Sequence, residues 1–332
     1  MKEYIVAVLG ATGAVGREML KVLEERDFPV KKLIPLASAK SEGSMIRFKG
    51  EDIPVQKAHS SAFEGVDIVF GATNKELARE FAPFIVKAGA VFVDNTCAFR
   101  MEEDVPLVVP EINGEDVKLH KGIIASPNCS TTIALMAIKS IADISPIKSM
   151  IVSTYQAVSG AGAEGPVELA AQAKAISNGE PVDIHKFKHQ IAYNLIPQIG
   201  GFDETGYTAE EMKMQNEGRR ILHNPKLNVT CTCVRVPVMR SHSISIQLRT
   251  QSKVSVAQAR EAISKFAGCK LQDDPQNGIY PMPLEASDKD TVFVGRIRDD
   301  LTDDCGLALW CCGDQIRKGA ATNAVQIAEL LA

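Results

Sequence analysis

The sequence has no basic surplus. Its net charge is −4 from 37 Lys and Arg against 41 Asp and Glu, which argues against a binder of nucleic acid or other polyanions. It has no apolar run near the ~18 residues of a membrane span. The opening Met1-Lys2-Glu3-Tyr4 enters an apolar run at once, without the charged region, longer apolar stretch and cleavage site of a signal peptide. The eight cysteines lack the paired spacing of a zinc site, so no metal is expected. Cys231-x-Cys233 and Cys311-Cys312 sit in strand-like contexts and read as buried packing residues. Reduced thiols of a cytoplasmic protein fit this pattern. There are no internal repeats and no low-complexity segments. What remains is an ordinary globular composition, 45% hydrophobic and 23% charged over 332 residues, long enough for two domains.

The first such domain is written in strand and helix periods. Ile5 to Leu9 is a short β-branched run ending at Gly10, and helical spacing follows from Val15 through Leu20 and Leu23. Strand-like runs recur at Leu33–Leu36, Asp67–Phe70, Val91–Val93 and Ile123–Ala125, with a helix over Lys75–Lys87 among the intervening segments. This alternation predicts a mainly parallel, doubly wound α/β sheet. After Asp143 the texture changes. Ile151–Ala157 reads as a strand, and Val229–Val238 and His242–Arg249 as longer alternating strands of a half-covered antiparallel sheet. A polar stretch, Asn178–Gly206, separates the first of these from the other two. Helical periodicity returns over Gln315–Leu331. The domains are therefore expected at 1–128 plus 315–332, for a nucleotide, and at 129–314, for substrate and catalysis.

Two segments carry the chemistry. Gly10-Ala11-Thr12-Gly13-Ala14-Val15-Gly16 lies at the first strand-to-helix turn, where glycines let backbone approach a pyrophosphate and the helix N-terminus favours its charge. The second strand then leads into Ser38-Ala39-Lys40-Ser41 with no carboxylate for a ribose hydroxyl. Two hydroxyls and an ammonium suit a 2′-phosphate, which selects NADP over NAD; the bland alternative is a solvated loop. In the second segment, Ser126-Pro127-Asn128-Cys129-Ser130-Thr131-Thr132 precedes an apolar helix. Cys129 near that N-terminus would have its thiolate stabilised, beside backbone N–H groups able to hold an oxyanion. A buried cysteine at a turn is the competing reading of the spacing alone.

At these residues the chain resembles the aspartate-semialdehyde dehydrogenase family. Pro127-Asn128-Cys129-Ser130-Thr131 is similar to that family's active-site signature, and the likeness runs nearly end to end. Ser38-Ala39-Lys40-Ser41 resembles its NADP segment, where Arg is more usual than Lys40. Asp94 to Met101 resembles a segment usually bearing Ser at the place of Cys97. Tyr155 to Gly160 and Arg235 to His242 are also close to family motifs. The resemblance implies a Rossmann-type domain joined to an α+β catalytic and dimerisation domain with a mainly antiparallel sheet, working as a homodimer. It implies reductive dephosphorylation of L-aspartyl 4-phosphate to L-aspartate 4-semialdehyde through a Cys129 thioester, a step of lysine, threonine and methionine biosynthesis. In that pattern His242 is the acid/base partner and Gln156 orients the acyl group. Arg235 clamps the α-carboxylate and Glu210 meets the ammonium. Arg100 and Lys213 bind phosphate, and Asn128 touches substrate. Gly10, Thr12, Gly13, Ala14, Val15, Gly16, Ser38, Lys40, Ser41, Gly160 and Asn323 contact NADP.

The residues offer partial support of their own. His242 shares parity with Ile244, Ile246 and Leu248, so it faces the covered side of its strand, although a lone histidine there is more often a core residue. Thr208 and Glu211 have capping-box spacing, which gives Glu211 a structural task. Glu210 and Lys213, three apart, share a helical face. The alternatives are N-acetyl-glutamyl-phosphate reductase, whose substrate has no ammonium for Glu210, and a catalytically silent NADP-binding regulator.

Overall fold

The computed structural model describes residues 2–331. The chain divides into two compact units, residues 1–128 with 320–332, and residues 129–319.

The first unit is built on six strands in the spatial order Gln56–Lys57, Val30–Ala37, Tyr4–Leu9, Ile68–Gly71, Val91–Asp94 and Ile123–Ala125, all paired in parallel. In sequence these are strands 3-2-1-4-5-6 of the sheet, the order of a doubly wound dinucleotide fold. Val6, Val8, Phe70 and Val93 are buried in its core, as uninterrupted apolar strands must be when both faces are covered. Helices Ala14–Glu25, Lys75–Lys87 and Thr322–Glu329 complete the unit. The second of these is capped by Asn74, whose side chain accepts from Leu77 N at 2.9 Å. The C-terminal helix starts later than its periodicity suggests. A π turn occupies Arg317–Ala321, and regular helix begins at Thr322, so the division between units falls after Gly319 rather than after Asp314.

The second unit carries a six-stranded mixed sheet in the order Asn228–Arg235, Ile147–Gln156, His242–Thr250, Gly306–Gly313, Val292–Asp299 and Cys269–Leu271. Its three inner pairings are antiparallel. The two outer pairings are parallel, a departure from the simple antiparallel sheet that alternation suggests. Alternation fixes which residues face the core and leaves strand direction open. The strand at Asn228 stops at Arg235, short of Pro237, because proline cannot donate to a ladder. One face of the sheet is packed by helices. Among them is Cys129–Ile144, almost wholly buried from Ser130 to Ile138, the pattern of a helix that is apolar all round. It sits close to the sheet at Gly313, where a β-carbon would lie 3.0 Å from Ile133. A further helix, Glu164–Asn178, leads into the polar stretch and is ended by left-handed Gly179. Cys231, Cys233, Cys311 and Cys312 are all buried, as their strand contexts suggest. Burial pushes the Cys312 thiol up to about 11, and the hydrogen bond that the Cys231 thiol donates to Cys233, with burial, pushes Cys231 further still.

Candidate active site

In the first unit the glycine turn closes the end of the central strand. Gly10 has φ +92°, and a β-carbon there would meet the Ala72 carbonyl oxygen at 2.3 Å. One on Gly16 would meet the Gly10 carbonyl oxygen at 2.2 Å. Both positions therefore exclude any side chain. Gly13 is the N-cap of helix Ala14–Glu25 and makes no side-chain cap, and the first turn holds no acidic residue. The N–H groups of that turn thus suit an anionic ligand. Thr12 Oγ1 lies 3.5 Å from Ser41 Oγ. Ser38 leads a 3-10 turn over Ala39–Ser41, with Lys40 exposed and, among the described residues, in no ion pair. Glycine backbone, hydroxyls and one ammonium form a donor set that fits the phosphates of a dinucleotide.

Arg100 and Asn323 also lie in this unit, in other surroundings. Arg100 is buried, its Nε donating to the Ser126 carbonyl at 2.9 Å and Nη2 to the Asn95 carbonyl at 2.7 Å. Asn323 is fully buried and donates from Nδ2 to the Val108 carbonyl and Ser126 Oγ, both at 3.0 Å. At both positions the structure shows side chains that tie strand ends and the last helix together. Asn128, the last residue before the second unit, is buried.

The nucleophile candidate opens the second unit. Cys129 is the first residue of its helix and is partly exposed. The turn containing Gly319 lies against it, so that a β-carbon on Gly319 would be 2.8 Å from Cys129 Cβ. That contact leaves no trace in spacing and was not legible in the sequence. Three further side chains reach the same region through strand register. Arg235 pairs with Gln156, Ser243 with Tyr155, and His242 with Gly313. Gln156, Arg235 and His242 are therefore neighbours at one end of three adjacent strands. All are buried and point to the helix-covered face with Thr154, Cys233 and Ile244.

The contacts knit them together. Gln156 Nε2 donates to Thr154 Oγ1 at 3.2 Å and to Glu210 Oε1 at 3.4 Å. Glu210 Oε2 also accepts from Lys213 Nζ at 2.8 Å. Arg235 Nη1 donates to the Ala157 carbonyl at 2.7 Å. Burial lowers the pKa of Arg235, opposed by negative charge on Cys129 and Glu210 nearby. His242 is fully buried, its Nδ1 accepting from the Ala157 N–H at 3.1 Å. Burial, then the positive charge of Arg235, lowers its pKa to about 3, with Glu210 opposing. Gly160 lies against this pair. A β-carbon there would meet Arg235 Nη1 at 2.8 Å and His242 Cε1 at 3.0 Å. The other side of Arg235 lines a cavity of about 350 Å3 with Lys186, Lys188, Gln198 and Gly200. It holds no carboxylate, so it suits an anion.

Glu210 is aimed by its neighbour. Helix Ala209–Ile221 begins with a full capping box: the Thr208 hydroxyl accepts from Glu211 N at 3.3 Å, and Glu211 Oε2 accepts from Thr208 N at 2.6 Å. Glu211 Oε1 also accepts from Cys233 N at 2.9 Å. Glu211 is thereby fixed to its strand and Glu210 is turned toward Gln156. Among the described residues no group of three or more His, Cys, Asp or Glu is placed to hold a metal ion, and no helix is long and apolar enough to cross a membrane.

A nucleotide fold in one unit and a cysteine, histidine and arginine cluster in the other define a nicotinamide-dependent oxidoreductase. Comparison with known proteins agrees half by half. Residues 5–120 match the family described as semialdehyde dehydrogenase, NAD binding domain, and residues 138–318 match semialdehyde dehydrogenase, dimerisation domain. The chain belongs to the aspartate-semialdehyde dehydrogenase family. The aspartate-semialdehyde dehydrogenase of Aquifex aeolicus is 51% identical over 332 residues, covering 99% of this chain and 98% of the relative. The crystal structure of aspartate semialdehyde dehydrogenase II complexed with ASA, from Vibrio cholerae, superposes with TM-score 0.97 at 44% identity, covering 100% of this chain and 98% of that one. A more distant enzyme of that name with NADP, from Candida albicans, has TM-score 0.76 at 25% identity and covers 99% of this chain and 98% of that one. The reductase for an N-acetylated substrate and the silent regulator are not favoured by these relatives.

Proposed function

We propose that this chain interconverts L-aspartyl 4-phosphate and NADPH with L-aspartate 4-semialdehyde, phosphate and NADP⁺, with Cys129 as covalent nucleophile. The observation that carries this reading is the convergence of Arg235, Gln156, Glu210 and His242 with a partly exposed cysteine at a helix N-terminus.

Cys129 attacks the acyl phosphate, expels phosphate and holds the acyl group as a thioester. A thiol suits this task because a thioester accepts a hydride more readily than an ester or amide does. Gln156 orients the acyl group, and His242 is the acid/base partner. Arg235 grips the α-carboxylate, since a guanidinium fork matches a carboxylate in two places. Glu210 meets the α-ammonium. Lys213 and Arg100 take the phosphate, and Asn128 lies beside the acyl group. The dinucleotide is held by Gly10, Thr12, Gly13, Ala14, Val15 and Gly16, with Gly160 as a further contact. Ser38, Lys40 and Ser41 receive the 2′-phosphate of NADP. When bound, the nicotinamide supplies or accepts the hydride. For Asn323 we assign a positioning role, through its bonds to Val108 and Ser126, on the segment that leads to Asn128. The relative complexed with ASA supports aspartate semialdehyde as the substrate. The match to a dimerisation domain supports a homodimer, and the class of reaction suits the cytoplasm.

One assay tests the reading. NADP⁺ reduction is followed with aspartate semialdehyde plus phosphate, and separately with N-acetyl-glutamate semialdehyde. Turnover is expected with the first only. Cys129→Ala should abolish turnover and leave cofactor affinity nearly intact, because nucleophile and glycine turn lie on different elements. Substantial turnover by that variant would overturn the covalent route.

A further inference from the structure

The turn assigned to the 2′-phosphate has a second cation beside it, on a different element. Arg17 follows Gly16, the last glycine of the opening turn, and its N–H closes the first turn of helix Ala14–Glu25 on the Gly13 carbonyl at 2.9 Å. Its side chain is exposed and runs back toward the helix N-terminus, as long helical side chains do. There Nε donates to the Thr12 carbonyl at 3.0 Å. The hydroxyl of the same Thr12 lies 3.5 Å from Ser41 Oγ. One residue thus carries the Arg17 guanidinium on its carbonyl and touches the Ser38–Ser41 turn with its side chain.

This is a costly place for a cation. The positive end of the helix dipole and its unpaired N–H groups stand there, and carboxylates are the groups that stabilise such a turn. This first turn has none. Among the described residues neither Arg17 nor Glu42, the acid directly after Ser41, is in an ion pair. Arg17, Lys40 and the helix end therefore add their positive potentials over one loop, an arrangement that a bound dianion offsets. The Thr12 carbonyl occupies Nε and leaves the two Nη groups to match two phosphate oxygens. Lys40 differs. It is exposed on its 3-10 turn, and its flexible stem must lose rotamer freedom to bind. Arg17 is already held by its bond to Thr12.

We propose that Arg17 is the principal cation for the 2′-phosphate of NADP, clamped by the Thr12 carbonyl, with Lys40 as an auxiliary charge. This rests on the reading of Ser38–Ser41 as the 2′-phosphate turn. NADP and NAD share the pyrophosphate and differ in the 2′-phosphate. A residue that only stiffened the glycine turn would act on both cofactors alike, whereas Arg17 acts on one.

Binding to the whole protein is measured by isothermal titration calorimetry, without substrate, for NADP⁺, NAD⁺, adenosine 2′,5′-bisphosphate and 5′-AMP. Arg17→Met keeps the stem and removes the charge. It should weaken NADP⁺ and the bisphosphate by about tenfold or more, the scale of one charge-assisted hydrogen bond, while NAD⁺ and AMP stay within about twofold. Arg17→Lys keeps the charge and loses the fork, so it should fall between wild type and Arg17→Met. Lys40→Ala should weaken the same two ligands by less than Arg17→Met does. All variants should melt with wild type, since both side chains are exposed. A parallel loss for all four ligands in Arg17→Met would show that Arg17 only holds the glycine turn. Affinity for NADP⁺ within about twofold of wild type would remove it from the site. Either result overturns the proposal, as does a larger loss in Lys40→Ala than in Arg17→Met. Wild type binding NAD⁺ as tightly as NADP⁺ would instead refute the 2′-phosphate turn itself, and the role of Arg17 with it.

Discussion

Glu210 and Glu211 are adjacent and should give opposite phenotypes. A capping carboxylate alone is worth about 0.5–2 kcal/mol. Glu211 does more, because its second oxygen accepts from Cys233 N on the neighbouring strand, and Thr208 and Cys233 are both buried. Truncation to alanine leaves two buried N–H donors unpaired, and an unsatisfied buried donor costs roughly 1–3 kcal/mol. The combined loss in Glu211→Ala is about 2–4 kcal/mol, since the two terms overlap in the Thr208 bond. For a unit of this size that lowers Tm by roughly 5–15 °C. Thr208→Ala removes only the reciprocal acceptor, so it should cost about 1 kcal/mol. Glu210→Gln keeps the helix and its cap, and should melt with wild type while losing activity with the free-amino substrate. Far-UV circular dichroism melts and steady-state kinetics on the three variants decide the matter. If Glu211→Ala melted within about 1 kcal/mol of wild type, the bond to Cys233 would have no energetic weight and the ranking would fail. If Glu210→Gln were the unstable variant and Glu211→Ala the inactive one, the assignment of the two carboxylates would be reversed.

Other expectations follow from the same geometry. Ser38→Asp should weaken NADP binding more than NAD binding, measured by fluorescence titration, because a carboxylate repels a 2′-phosphate; Lys40→Ala should act in the same direction but less, since its exposed charge is screened. Wild-type enzyme using NAD as efficiently as NADP would refute the reading of that loop. Arg235→Lys should lower kcat/KM by about 10–100-fold, the loss of one charge-assisted hydrogen bond, and near-normal kinetics would place the carboxylate clamp elsewhere. Folding stability should carry a signature of His242. Its folded pKa lies at about 3, below the ordinary 6.5, so between those values the unfolded chain binds the extra proton. The His242 contribution is complete above pH 6.5 and is lost as pH falls toward 3, at up to about 1.36 kcal/mol per pH unit. Denaturant unfolding of His242→Gln should show a shallower acid-side slope than wild type.

Much of the fold was legible because periodicity and punctuation coincide in it. The helix at Lys75–Lys87 and the strand at Ile123–Ala125 occur at the residues expected. The glycine turn lies where strand gives way to helix, and the capping box at Thr208 forms as its spacing suggests. The parity argument for His242 also holds, with Ile244, Ile246 and Leu248 fully buried beside it. What escaped depends on partners distant in sequence. Parallel pairing of Asn228–Arg235 with Ile147–Gln156 is a choice of neighbour that alternation does not encode. Helix Glu164–Asn178 begins at Glu-Gly-Pro, where glycine and proline are poor helix formers, and its Glu168 and Gln172 are buried to hold the amides of His185, Lys186, Ile191 and Ala192. Gly319 matters only because Cys129 lies against it, and nothing in a 190-residue separation announces that.

The register of the edge strand connects packing to chemistry. Arg235 reaches Gln156 only while Asn228–Arg235 keeps its alignment with Ile147–Gln156. A slip by one residue turns every side chain of a strand to the other face. It would carry Arg235 to the open side of the sheet and take Cys231 and Cys233 with it. Those two thiols share the parity of Arg235, are buried, and lie with their sulfurs 3.7 Å apart. Cys233 N is also held by Glu211. The cysteine pair therefore has a task that needs no redox chemistry. As small hydrophobic side chains they make the slipped register expensive, and the Glu211 carboxylate pins the residue two before Arg235. The helix that aims Glu210 and the strand that aims Arg235 are thus aligned by one carboxylate, which places the groups assigned to the two charged ends of the substrate at a fixed separation before any substrate arrives.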